Sequence, residues 1–413
     1  MVQADRLWKR LQELGDIGRD ASGGVTRFSY SCDEWAAKER VRYWMQQAGL
    51  DTWEDAVGNL FGRREGTDAA APAVWLGSHL DSVAHGGNFD GPLGVLAAIE
   101  VVQSMTEASV QTRHPIEVVV FEDEEGARFG FGMIGSRAVA GRLAPAELDR
   151  HRDAQGRSLG WAMQAYGMDP AQIDRAVRSS SEVFAYLELH IEQGRVLESQ
   201  GLPIGIVSGI AGPLWLNFTF KGMSGHAGAT PMTLRQDALA AAAEAMLVME
   251  QVAQDVPGCV ATVGKLTVQP GGVNIIPGVV SLTLDLRNAI ESLRNQAEQR
   301  ILEQVEKACL RRNVDVTVQT LQRIAPVECA PSLRGVLHQS CEELGVSGFD
   351  LVSGAGHDGM QLVDLCPVGM VFVPSREGIS HQPEEWTSPV DCIMGTQVLY
   401  QAALHLAKEG IVQ

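Results

Sequence analysis

Positive charge is scarce in this chain. Lys and Arg number 33 against 51 Asp and Glu, a formal net charge of -18 over 413 residues. Nucleic-acid binding rests on Lys and Arg neutralising phosphates, so a surface this short of cations does not suit that partner. Net acidity does not in turn demand a cationic substrate, because local fields can oppose it. Cysteine is the second shortage. Cys32, Cys259, Cys309, Cys329, Cys341, Cys366 and Cys392 are odd in number, scattered, and never form a C-x-x-C pair. That argues against a disulfide framework and against a thiolate zinc site. No apolar run approaches the ~20 residues of a membrane helix. The opening stretch MVQADRLWKRLQELG is charged throughout, with Leu7, Leu11 and Leu14 spaced for one helical face. It reads as an amphipathic helix and not as a signal peptide. A reduced, cytoplasmic setting without membrane or nucleic-acid partners is the expectation.

What is present is ordinary in bulk: 45% hydrophobic and 20% charged residues, enough chain for two or three domains with a large core. The first half alternates buried strands with helical patterns. AVWLG (73–77), IEVVVF (116–121) and VFAYLEL (183–189) read as strands, and GPLGVLAAIEVVQSM (91–105) as a helix. This grammar predicts an α/β fold with a mainly parallel sheet covered by helices, and ligands beyond the carboxyl ends of its strands. Residues 212–327 differ. Strand patterns at 213–222, 261–269, 279–287 and 314–321 surround helical patterns at 234–253 and 291–310. The order is β-α-β-β-α-β, a small α+β unit inserted into the larger domain. The expected division is therefore 1–211 plus 328–413, and 212–327. The tryptophans and methionines read as core.

Three polar motifs follow the predicted strands. GSHLDSVAHGGNFDGPLG (77–94) offers His79, Asp81 and Asp90, EDEEG follows 116–121, and HIEQG follows 183–189. A fourth, SREGISHQPEEW, contains His381. His79, Asp90, Glu125, His190 and His381 could fill the coordination of two metal ions sharing one carboxylate. With no thiolates, Zn, Mn, Co or Ni fits better than a cluster or copper(I). Asp81, two residues after His79, could accept the other imidazole N–H and fix its tautomer. Of the adjacent Glu124 and Glu125, one can ligate metal while the other takes a proton from water. Singly, each signal has a plainer reading: a core histidine, a solvated acidic turn, a loop histidine. The joint pattern of four motifs, three of them after buried strands, favours a dinuclear site.

Taken together, GSHLDSVAHGGNFDGPLG, FEDEEGARFG, LELHIEQG, GMSGHAGATPM, VNIIPG with LDLRN, SGAGHDGMQL and SREGISHQPEEW resemble the M20-type metallo-amidohydrolases of the hydantoinase/carbamoylase family. The likeness runs nearly end to end. It implies a zinc-peptidase-like mixed sheet flanked by helices, with the inserted unit serving as lid and dimerisation domain. It implies His79, Asp90 and His190 on one metal, and Asp90, Glu125 and His381 on the other. Glu124 would be the general base and acid. His226 would stabilise the developing oxyanion, in some members from the partner subunit. Gln193, Asn274, Arg287 and Gly356 would line the substrate, with Arg287 gripping its carboxylate. Without the likeness, Arg287 could be a solvated strand-end charge and Asn274 a turn residue. His357 is not assigned to metal, and His85 reads as surface. The implied reaction is hydrolysis of the ureido group of an N-carbamoyl-L-amino acid. Allantoate and N-carbamoyl-β-alanine are the alternative ureides, and a dinuclear peptidase or a non-catalytic binding member are the more distant ones. A homodimer through the inserted unit is the expected assembly.

Overall fold

The structure is a computed structural model and describes residues 2–409. The chain forms two compact units. One holds the residues up to Ser208, Cys329–Leu351 and the chain from His357 onward; the other holds Gly209–Glu328 and Val352–Gly356. The return segment 352–356 thus belongs with the second unit, which the strand pattern alone did not indicate.

In the first unit, strands β1 (Asp51–Glu54), β2 (Leu60–Arg64), β3 (Ala73–His79), β4 (Ile116–Phe121), β5 (Val183–Ile191) and the first part, up to Ser208, of β6 (Ile204–Ile210) share a sheet with Val368–Val373. The order runs β1-β2-β4-β3-β5, then Val368–Val373, then β6. The centre is parallel: β3 pairs with β4 and β5, and β5 with Val368–Val373. The flanks are antiparallel, with β1 on β2, β2 on β4, and β6 on Val368–Val373. The sheet is therefore mixed, as the family resemblance implies, and not mainly parallel as the strand–helix alternation suggests. The short flanking strands in DTWEDAVGNLFGRRE carry Gly and Asp that mask a strand pattern.

Near-continuous apolar runs make the central strands because both faces are covered. On one face Val74, Leu76, Ile116, Val118 and Val120 pack with Leu7, Leu11, Val41, Val95, Leu96, Leu399 and Leu406 of the helices Ala4–Gly15, Cys32–Gln47, Pro92–Glu107 and Pro389–Glu409. On the other, Trp75, Val119 and Phe121 pack with Val139, Tyr186 and Leu362. Helix starts follow local chemistry. Ser31 accepts the Glu34 N–H at the head of Cys32–Gln47, and Pro92 opens Pro92–Glu107 directly after Gly91. Trp75 and Trp44 are core, but Trp35 and Trp161 are exposed, as are Met223 and Met232. None of the seven cysteines is in a disulfide among the described residues. Among the described residues no helix is long and apolar enough to cross a membrane.

The second unit holds strands β7 (Gly212–Lys221), β8 (Gly225–His226), β9 (Val260–Gln269), β10 (Ile275–Ile276), β11 (Val279–Asn288) and β12 (Asp315–Arg323). Its main sheet is antiparallel in the order β12-β7-β11-β9. One face is buried: Leu214, Leu216, Phe218 and Phe220 of β7 and Val280, Leu282, Leu284 and Leu286 of β11 pack on helices Ala238–Asp255 and Glu291–Arg312. The alternate residues, Trp215, Asn217 and Thr219, face outward, the period-2 signature of a one-sided sheet. The first helix starts at Ala238 and not near 234, because the Asp237 carboxylate accepts the N–H groups of Leu239 and Ala240. Among the described residues, β8 and β10 pair only with each other, setting Ile275 opposite His226.

Candidate metal centre

Register brings the first unit's motifs to one end of the sheet. His79 closes β3 opposite Phe121 of β4, and His190 of β5 pairs with Phe372. The segments that follow carry Asp90, Glu124 and Glu125, Gln193 and His381. Two trios result. Ligand atoms of His79, Asp90 and His190 lie within 4.8 Å of one another, as do those of Asp90, Glu125 and His381. Asp90 belongs to both, one oxygen each. Its Oδ1 is 3.5 Å from His79 Nε2 and 3.1 Å from His190 Nε2, while its Oδ2 is 3.2 Å from His381 Nε2. His381 Nε2 is 3.5 Å from Glu125 Oε1. Glu124 belongs to neither trio, and its Oε2 lies 3.9 Å from His79 Nε2.

Backbone carbonyls set the tautomers of two imidazoles. His79 Nδ1 donates to the Asp81 carbonyl at 3.1 Å, and His190 Nδ1 to the Ile191 carbonyl at 2.9 Å. A carbonyl only accepts, so each Nδ1 carries the hydrogen and each Nε2 is left as the lone-pair donor. The proton on His79 is therefore fixed chiefly by the backbone oxygen of Asp81. The Asp81 carboxylate, with Oδ1 at 3.4 Å from Nδ1, has another task. It accepts the N–H of Glu124 on Oδ1 and of Glu125 on Oδ2, both at 3.1 Å. One side chain thus ties the His79 segment to the acidic turn. Backbone N–H groups of Met133, Ile134 and Gly135 secure the turn further, donating to the carbonyls of Glu124, Asp123 and Glu122. Behind it, buried Lys38 contacts Glu122 and lies 2.9 Å from Glu34. Behind the β3 loop, buried Arg27 donates to the Leu80, Leu14 and Ile17 carbonyls. Gly91 has φ +83°, and a Cβ there would sit 2.6 Å from the His79 ring.

A third trio, Glu188, His190 and His357, shares His190. Glu188 already accepts hydroxyls from Ser78 at 2.6 Å and Tyr186 at 3.0 Å. Burial drives the His357 pKa well down, so its ring packs neutral against His190, centroids 4.6 Å apart. This trio supports His190 and gives the sequence motif SGAGHDG a packing role.

The donor set fits divalent cations. It is all nitrogen and oxygen, and His190 Nε2 is buried without a hydrogen-bond partner. Electrostatics point the same way. Burial raises Glu124 well above the carboxylate range and Glu125 to about 8. The Asp90 carboxylate holds His381 up to about 9. Against its own burial, Asp90 is held well below the usual range by the imidazoles of His190, His381 and His79 crowded around it. So many acids in one cleft need protons or cations to offset them. Below about pH 8 an entering cation must displace protons from both Glu125 and His381. Apparent Mn²⁺ affinity is expected to rise from about pH 6 to about pH 9, roughly tenfold per pH unit per proton displaced. Calorimetry in buffers of different ionisation enthalpy reads that proton release; a flat profile would contradict it.

The remaining sequence candidates divide between the units. Gln193 belongs to the first, and its Nε2 donates to Asp90 Oδ2 at 2.6 Å, so it contacts the shared carboxylate directly. His226, Asn274, Arg287 and Gly356 belong to the second. His226 is exposed; its Nδ1 accepts the N–H groups of Gly228 and Ala229, both at 3.1 Å. With Nδ1 accepting, the ring hydrogen sits on Nε2, an N–H donor with no acceptor among the described residues. Asn274 lies one residue from the His226 partner Ile275, and its carbonyl accepts the Ala227 N–H. Arg287 is not free in solvent: its Nε and Nη2 bind Asp285, at 2.7–3.1 Å, and Nη1 donates to Gly354 at 2.7 Å. Gly356 is two residues further on and half-buried. His85 is exposed and bonded to Asp20 at 2.7 Å.

The family model for peptidase family M20/M25/M40 matches residues 75–405. An N-carbamoyl-L-amino acid amidohydrolase of Geobacillus stearothermophilus is 53% identical over 99% of this chain and all of its own length. An allantoate amidohydrolase of Bacillus subtilis is 35% identical over 96% of each chain. The crystal structure of a hydantoinase/carbamoylase family amidase from Burkholderia multivorans superposes with a TM-score of 0.93 at 35% identity, covering 99% of this chain and 98% of the other. Sequence and fold agree: the chain belongs to peptidase family M20/M25/M40, among its hydantoinase/carbamoylase amidases.

Proposed function

We propose that the chain hydrolyses the carbamoyl C–N bond of N-carbamoyl-L-amino acids, releasing amino acid, ammonia and carbon dioxide. The observation that carries the chemistry is Asp90, with one carboxylate oxygen toward each trio of nitrogen and oxygen donors. The choice of ureide rests on the 53% identical relative, against 35% for the allantoate enzyme. His79, Asp90 and His190 would hold one divalent ion, and Asp90, Glu125 and His381 a second; Mn, Zn, Co and Ni all suit these donors. When bound, such ions supply Lewis acidity, polarising the carbamoyl oxygen and making water nucleophilic near neutral pH.

The chain's own residues do the rest. Glu124 takes the proton of the attacking water and returns it to the departing nitrogen. Its burial, which raises its proton affinity, suits a group that must both accept and donate near neutrality. The His226 Nε2–H is a donor of the kind that stabilises a tetrahedral oxyanion. Arg287, oriented by Asp285 and Gly354, is assigned to the substrate carboxylate, with Asn274, Gln193 and Gly356 completing its contacts. The exposed edge strand β9, with Val260 and Leu266 outward, supports a homodimer through the second unit, which light scattering would test. The proposed setting is the cytoplasm, consistent with seven cysteines outside any disulfide; fractionation of the producing cells tests it.

The substrate is tested by assaying metal-loaded protein on N-carbamoyl-L-amino acids, allantoate, N-carbamoyl-β-alanine and dipeptides. The highest kcat/KM is expected for an N-carbamoyl-L-amino acid. Faster turnover of allantoate would move the reading to that ureide, and dipeptide cleavage alone would overturn it. No metal-dependent turnover of any of them would leave a binding protein.

A further inference from the structure

We propose that Glu385 is a positioning residue for the metal pair, a buried carboxylate that fixes the Asp90 loop and the His381 loop at one spacing. The proposal rests on the two-ion reading above. Glu385 is in neither trio and is only 4% exposed. Its Oε1 accepts two backbone N–H groups, from Phe89 at 2.9 Å and from Asp90 itself at 3.1 Å. Its Oε2 is 2.8 Å from the hydroxyl of Ser380, the residue before His381, and that hydroxyl is also 3.1 Å from Asp90 Oδ2. One side chain therefore grips the backbone of the shared ligand and the neighbour of the outermost ligand, across 290 residues of sequence.

The Asp90 loop is shaped around this carboxylate. Any Cβ at Gly87 would overlap the Glu385 carboxyl group and Cβ, so glycine is required there by space and not by φ. The next residue, Trp386, packs edge-on against Phe89 at 5.6 Å and Trp8 at 5.3 Å. The two trios depend on this clamp unequally. His79 and His190 stand on strands β3 and β5, whose pairing sets their backbone positions. His381 stands on a loop at φ +59°, and its place relative to Asp90 has no strand to set it. Loss of the clamp should therefore loosen the Asp90–Glu125–His381 trio more than the other. Groups that orient a ligand typically govern about 10- to 100-fold in metal affinity.

The test is calorimetric titration of Mn²⁺ into the metal-stripped full chain, with folding verified by circular dichroism. Wild type is compared with Glu385→Ala, Glu385→Gln, Gly87→Ala and the exposed neighbour Glu384→Ala. His381→Ala identifies which binding event belongs to the outer trio. That event is expected to weaken about 10- to 100-fold in Glu385→Ala and Gly87→Ala. It should weaken less in Glu385→Gln, which keeps one acceptor oxygen, and not at all in Glu384→Ala. Unchanged affinity in Glu385→Ala, equal loss at both events, or the same loss in Glu384→Ala would overturn the clamp. Should Glu385→Ala not fold, Glu385→Gln and Gly87→Ala decide by the same criteria. A wild type that binds fewer than two ions would overturn the two-ion reading itself, separably from the variant comparison.

Discussion

Glu124→Gln is expected to lower kcat by about 10²- to 10⁴-fold while bound metal stays at the wild-type level. The geometry separates the two effects. Glu124 lies outside both trios, and its backbone is fixed by the Asp81 carboxylate whatever its side chain is. An amide of the same shape fills the same buried space but cannot take a proton from water or hand one on. Substrate binding should change little, so the loss should fall on kcat more than on KM. Metal analysis beside steady-state kinetics reads both quantities on one sample. Turnover within a few-fold of wild type would place the proton carrier elsewhere. A parallel fall in metal content would make Glu124 a ligand.

Removal of Asp90 should do the opposite. Asp90→Ala is expected to lose both ions, because its two oxygens serve separate trios. His190→Ala and His381→Ala each remove a ligand from one trio and should each weaken mainly one ion, by about 10- to 100-fold or more. The three variants together distinguish a shared carboxylate from two independent sites. In independent sites Asp90→Ala would resemble one of the histidine variants. Here it should exceed both, with activity falling at least as far as in Glu124→Gln. Metal content after dialysis against a weak chelator measures this directly.

How much of this was legible in the sequence varies with the kind of signal. The central strands were clear because their apolar runs are buried on both faces, and their ends pointed to the polar motifs that follow. The strands Asp51–Glu54 and Leu60–Arg64 were not, since they are short and separated by a turn, and the first is largely unburied. The five candidate ligands could be listed from motifs, yet the division of the Asp90 oxygens is a product of register between strands far apart in sequence. Asp81 stood out by its spacing from His79, but its main use, holding the acidic turn, depends on a loop that begins after another strand. Glu385 lay in a motif already singled out and carried no mark distinguishing it from Glu384. Arg27 and Lys38 look like any surface cations until the fold buries them. The Arg287 engagement with Asp285 was hidden by the same alternation that placed both on one face of β11.

The most direct test is anomalous diffraction from crystals of the Mn²⁺-loaded protein. The expected map holds two peaks per chain, about 3.5–4 Å apart, with Asp90 between them, His79 and His190 on one peak, and Glu125 and His381 on the other. A single peak, or two peaks that Asp90 does not join, would contradict the shared-carboxylate site.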